Sequence, residues 1–121
     1  MAERIVLMIT HGAEHPERAT IPFVLATAAQ ASEVEVLIGL QINGVLLARK
    51  GVAETIQAEA FPPLKELVDI YLENGGQLFV CGPCVKSRGI HPENDMLPGA
   101  KVVNAATFVK EISEATNVMV Y

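Results

Sequence analysis

The stretch QLFVCGPCVKSRGI, residues 77–90, decides the fold. Gln77 to Cys81 is an apolar run that reads as a strand. Gly82-Pro83 break it, and the short helix that follows must end by Gly89. Upstream, FPPLKELVDIYLENGG places Leu64, Leu67, Val68, Tyr71 and Leu72 on one helical face, with Asn74-Gly75-Gly76 as its stop. Helix, strand, cysteine, helix is the signature of a βα unit in a parallel sheet, with Cys81 at the strand's carboxyl end.

The rest of the chain repeats that alternation. Arg4 to Thr10 is an unbroken apolar run, as for a strand covered on both faces. His11-Gly12 end it, and a helix runs from Pro16 to about Ala31. Pro22, in its early part, also allows a start nearer Thr20. Val34 to Leu40 is the second strand, with Glu35 hinting at an edge position. Gln41 to Pro63 carries a turn signal at Asn43-Gly44 and a possible short helix stopped by Gly51. Gly89 to Ala100 reads as a polar loop, Lys101 to Val103 as a short strand, and Asn104 as the N-cap of a helix. Asn117 to Tyr121 is a last strand. The expectation is a single α/β domain over residues 1–121, a doubly wound, mainly parallel five-stranded sheet of order 2-1-3-4-5 with helices on both faces. That order would set strand 1 beside strand 3 and bring the loops at His11 and Cys81 into one crevice at the carboxyl ends.

Composition narrows the function classes. The 121 residues suit one compact domain. Half of them are hydrophobic and the mean hydropathy is +0.33, rich for a small monomer. This points to a buried sheet plus a subunit interface, hence a homo-oligomer. No segment reaches the ~18 apolar residues of a membrane span, and the first apolar run is too short for a signal peptide. A cytoplasmic location is expected. Net charge is −5, with no basic cluster, which argues against nucleic acid as a partner. No nucleotide-binding glycine motif is present, no cofactor is expected, and the two histidine loops do not pair into a metal site with the cysteines.

CGPC is also the dithiol sequence of thioredoxin, but the context differs. Only 37 residues follow Cys84, and they read helix, strand, helix, strand. Val80 stands where thioredoxin has Trp, and no proline is placed to act as the cis proline against the dithiol. The local physics carries over all the same. A cysteine at a strand-to-helix junction faces free backbone N–H groups, which favours the thiolate, the reactive form. Cys81 is thus the leading candidate for catalysis. Cys84 is a second thiol that could resolve a sulfur adduct or simply pack. His11 could act as base toward Cys81 or be a loop histidine with a backbone hydrogen bond. Gly12, Gly82, Arg88 and His91 are the candidate substrate-binding residues around them.

With the opening strand RIVLMIT, the Ala-rich helix PFVLATAAQA, the strand VEVLIGL, the stretch NGVLLARKG, the closing VVNAATFVKEI, and a cysteine followed seven residues later by Arg88-Gly89-Ile90, the chain resembles the DsrE/DsrF-like family of sulfur-relay proteins. The resemblance spans the whole chain. It implies a parallel α/β fold, assembly as dimer, trimer or hexamer, and a persulfide cysteine at the position of Cys81. It also implies sulfur donors and acceptors as partners, either proteins or small sulfane-sulfur compounds. Gly82-Pro83-Cys84 departs from the small residues usual in relay proteins, and so does the first loop, THGAEHPERAT. Two other readings stay open: a CXXC dithiol–disulfide redox protein on a non-thioredoxin fold, and a non-enzymatic module binding a small ligand or partner.

Overall fold

The computed structural model describes residues 3–121. Five strands form one all-parallel sheet: β1 Arg4–Ile9, β2 Glu35–Leu40, β3 Leu78–Cys81, β4 Ala100–Val103 and β5 Asn117–Val120. The helices are α1 Pro16–Ala31, α2 Leu64–Glu73, α3 Gly82–Ser87, α4 Pro92–Asp95 and α5 Ala105–Glu114. The single α/β class with helices on both faces is as the sequence predicts.

The strand order is not. It runs β4-β3-β2-β1-β5, so β2 lies between β1 and β3. Glu35 therefore marks the exposed amino end of an interior strand and not a sheet edge. One side chain shows why β3 docks on β2. Tyr71 of α2 is fully buried, and its hydroxyl accepts the Ile38 N–H at 3.2 Å while donating to the Gln77 carbonyl at 2.7 Å. The phenol thus joins β2 to the residue that enters β3, and Ile38 pairs with Leu78. Stepping from β1 through β2 to β3 in one direction puts α1 and α2 on one face, because such crossovers are right-handed. Phe23 of α1 meets Tyr71 edge to face at 5.8 Å there.

Strand alternation sends Leu7, Ile9, Ile38, Leu40, Leu78 and Val80 into that larger core. Val6, Met8, Leu37 and Phe79 point to the other face, where α5 lays Phe108 over them. Gly39 makes room for it: a Cβ there would stand 2.5 Å from Met8 Sδ and 2.9 Å from Phe108 Cε1.

Residues 42–55, where no clear period is readable, form two 3₁₀ stretches, Ile42–Ala48 and Ala53–Thr55. They bury Val45, Leu47, Ala48 and Ala53 in the larger core. The polar loop after α3 contains the short α4. It is stitched to the first 3₁₀ stretch by the Leu97 N–H to Ala48 carbonyl bond and by an antiparallel bridge between Arg49 and Met96.

Candidate functional site

Cys81 is the last residue of β3 and the N-cap of α3, with Pro83 in the first turn. Cys84 lies one turn on, on the same helix. Both thiols are free and half-buried, at the start of the same helix. Burial pushes the Cys81 thiol up from its ordinary value, and hydrogen bonding to the Cys84 thiol pushes the same way. The Cys84 backbone N–H and the Arg88 guanidinium act in the opposite sense and do not prevail. This corrects the expectation of a favoured thiolate at Cys81: α3 has only six residues, and desolvation outweighs its amides.

A third segment completes the site. The Ile42 N–H, just past β2, donates to Cys84 Sγ at 3.3 Å. Arg88 Nε donates to Asn43 Oδ1 at 3.0 Å, and another guanidinium nitrogen donates to the Cys84 carbonyl at 3.2 Å. Ile42 has φ +54°, a left-handed conformation that is strained for a β-branched residue. The loop is held in it by close packing on β1. Gln41 N–H donates to the Ile9 carbonyl at 3.0 Å, and a Cβ on Gly44 would collide with that same carbonyl. Ile42 and Asn43 escaped the sequence reading. Asn43-Gly44 signals a turn, but nothing local says which strand end the turn will lie against.

The other predicted site residues are distributed as follows. Gly82 adjoins Cys81, and Arg88 clasps the dithiol helix to the loop. Gly12 abuts this loop from the far side: a Cβ there would stand 2.8 Å from the Asn43 carbonyl oxygen. The crevice expected between β1 and β3 does not exist, since β2 fills it. With strands about 4.8 Å apart, the ends of β1 and β3 are about 10 Å apart. His11 turns to the β5 side, where Nδ1 donates to the Tyr121 carbonyl at 2.9 Å and the ring meets His15 at 5.3 Å. A carbonyl only accepts, so Nδ1 carries a proton. His91 is exposed, and its N–H donates to Asp95 at 2.8 Å. Among the described residues no three His, Cys, Asp or Glu side chains are grouped to hold a metal ion. A cavity of about 740 Å³ opens at the opposite, amino end of the sheet between Gln30, Glu35, Ile70, Gln77 and Glu111, away from the thiol chemistry.

The profile of the DsrE/DsrF-like family matches residues 3–121. The chain belongs to this family. Among its DsrE-like relatives, the uncharacterized protein MJ0989 of Methanocaldococcus jannaschii is 33% identical over 118 residues, covering 98% of this chain and 99% of the relative. MJ0760 of the same organism is 30% identical over 112 residues, and there the match covers 93% of this chain but only 40% of the relative's length. Two solved structures share the DsrE-like fold end to end. The ychN protein from E. coli aligns with a TM-score of 0.81 at 16% identity, over 98% of this chain and 99% of that one. MTH1491 from Methanobacterium thermoautotrophicum, a protein of unknown function, aligns at 0.72 and 18%, with the same coverage. Among the described residues of this DsrE-like chain no helix is long and apolar enough to cross a membrane.

Proposed function

We propose that the chain is a sulfur carrier that holds sulfane sulfur as a persulfide on Cys81 and passes it to an acceptor thiol. The observation that supports this is the pair of free, half-buried thiols at the carboxyl end of β3, backed by Arg88, in a DsrE/DsrF-like chain. In loading, the Cys81 thiolate attacks the outer sulfur of a donor persulfide. The new S–S bond forms as the donor's own S–S bond breaks, and the donor leaves as its thiolate. With thiosulfate the leaving group is sulfite. In delivery, an acceptor thiolate attacks the outer sulfur and Cys81 leaves as thiolate. Arg88 supplies positive charge for the anions formed. Donor and acceptor are cytoplasmic proteins or small sulfane-sulfur compounds. The working form is a homo-oligomer, supported by the exposed apolar residues Val118, Met119 and Val120 on edge strand β5.

Intact-protein mass spectrometry after incubation with polysulfide or thiosulfate tests the carrier. A reductant-sensitive gain of sulfur that persists in Cys84→Ser and vanishes in Cys81→Ser is expected. If no sulfur is gained but two hydrogens are lost under mild oxidant, the second reading holds. In that reading Cys81 and Cys84 cycle between dithiol and disulfide, and their placement as free thiols one turn apart on one helix favours it.

A further inference from the structure

Cys84 Sγ receives a donor from a distant part of the chain. It is the Ile42 N–H at 3.3 Å, from the loop after β2. The neighbouring Cys81 thiol is pushed up from its ordinary value by burial. The Ile42 donor is fixed in place from three sides. Ile42 has φ +54°, so its amide is not where a relaxed isoleucine would leave it. Gly44 and Gly12 let β1 and its following loop press on the segment without side chains intervening. Arg88 holds Asn43 Oδ1 at 3.0 Å and the Cys84 carbonyl at 3.2 Å, and so locks loop and helix together. A preoriented backbone N–H aimed at a sulfur stabilises charge there, as such groups do for a developing oxyanion. Arg88 is the charged side chain whose contacts reach Cys84 and the loop packed on it.

We infer that the Ile42 amide holds Cys84 as the thiolate of the pair, so that Cys84 is the group that closes on a sulfur-loaded Cys81. In that step the Cys84 thiolate attacks the inner sulfur of the Cys81 persulfide. The Cys81–Cys84 bond forms, the bond between inner and outer sulfur breaks, and hydrosulfide leaves. A dithiol reductant then returns both cysteines to thiols and is itself oxidised to a disulfide. The charge held on Cys84 rests on the Ile42 contact, whereas its use in sulfide release rests on the sulfur-carrier reading.

The two parts separate experimentally. Reduced wild-type protein would be treated with iodoacetamide across a pH series, with the two sites quantified by peptide mass spectrometry. Cys84 is expected to be alkylated about five-fold faster than Cys81 near pH 7, since thiolate fraction sets the rate. In ¹H–¹⁵N spectra the Ile42 amide is expected to shift with the midpoint of Cys84 alkylation, and Cys84→Ser, or Cys84→Ala if the first does not fold, is expected to remove that shift. Faster alkylation of Cys81, or an Ile42 resonance that ignores the Cys84 titration, overturns the inference. A chain that takes up no sulfur but passes both measurements keeps the inference and loses the proposed function.

Discussion

Arg88 Nε donates to Oδ1 of Asn43 at 3.0 Å, which ties the dithiol helix to a loop 45 positions earlier in the chain. The same guanidinium reaches the Cys84 carbonyl. Arg88→Ala removes both bonds. Thermodynamic stability is expected to fall by about 1–2 kcal/mol in urea unfolding, given hydrogen bonds to a charged donor. Cys81 alkylation at pH 8 is expected to slow, because Arg88 is the charge that favours its thiolate. Arg88→Lys should restore the alkylation rate in part but not the bridge to Asn43. Unchanged alkylation in Arg88→Ala would remove Arg88 from the site.

The pH dependence of sulfur loading follows from Cys81. Its thiol is pushed up, so the reactive thiolate is a minor form at neutral pH. Loading from thiosulfate is expected to accelerate steadily from pH 7 to 9, without the plateau near neutrality of a low-pKa catalytic cysteine. Stability has the opposite trend. The folded state keeps the Cys81 proton longer than the unfolded chain does, so this contribution is present below the ordinary thiol value and is lost as pH rises above it. A stopped-flow pH profile that is flat across this range would contradict the burial of Cys81.

Tyr71 is pushed up to about 12, chiefly by burial, against the hydrogen bond that the Ile38 N–H donates to its oxygen, which acts in the lowering sense. The folded state therefore holds the phenol proton beyond pH 10. Stability is expected to be full below pH 10 and to fall by roughly 2–3 kcal/mol by pH 12. In Tyr121→Phe, which leaves Tyr71 as the sole tyrosine, phenolate absorbance should emerge only near pH 12 or with unfolding. Emergence near pH 10 while the fold persists would refute it.

Tyr71→Phe is expected to cost about 1–3 kcal/mol, because it leaves the Ile38 N–H and the Gln77 carbonyl without their shared partner. A loss under 0.5 kcal/mol in urea melts would mean that the phenol does not pin β3 to β2.

Gly44→Ala drives a Cβ into the Ile9 carbonyl and displaces the Ile42 loop. A destabilisation of about 1–3 kcal/mol is expected, together with slower Cys84 alkylation. A variant as stable as wild type, by thermal unfolding followed by circular dichroism, would show that the loop has room to move.

Much of the molecule was legible in the chain. The apolar run of β1, the helical spacing of Leu64, Leu67, Val68 and Tyr71, and the stop at Asn74-Gly75-Gly76 are local signals, and each lies where the sequence puts it. So does Cys81, because a strand ended by Gly-Pro allows little else. Residues 42–55 were not legible. Their 3₁₀ turns are specified by burial of Val45, Leu47 and Ala48 under the larger core and not by any period. The raised Cys81 thiol was also out of reach, since desolvation belongs to the packed state.

By itself the sequence determined an α/β chain with two thiols one helical turn apart at a strand's carboxyl end, because periodicity, turn chemistry and spacing are local properties. The tertiary structure alone decided the strand order and thereby the site's neighbours. Right-handed crossovers allow β3 to join either side of the first two strands, and only long-range contacts choose. Tyr71 joins Ile38 to Gln77, β2 takes the central place, and its loop brings the Ile42 amide to Cys84 while His11 is left facing β5.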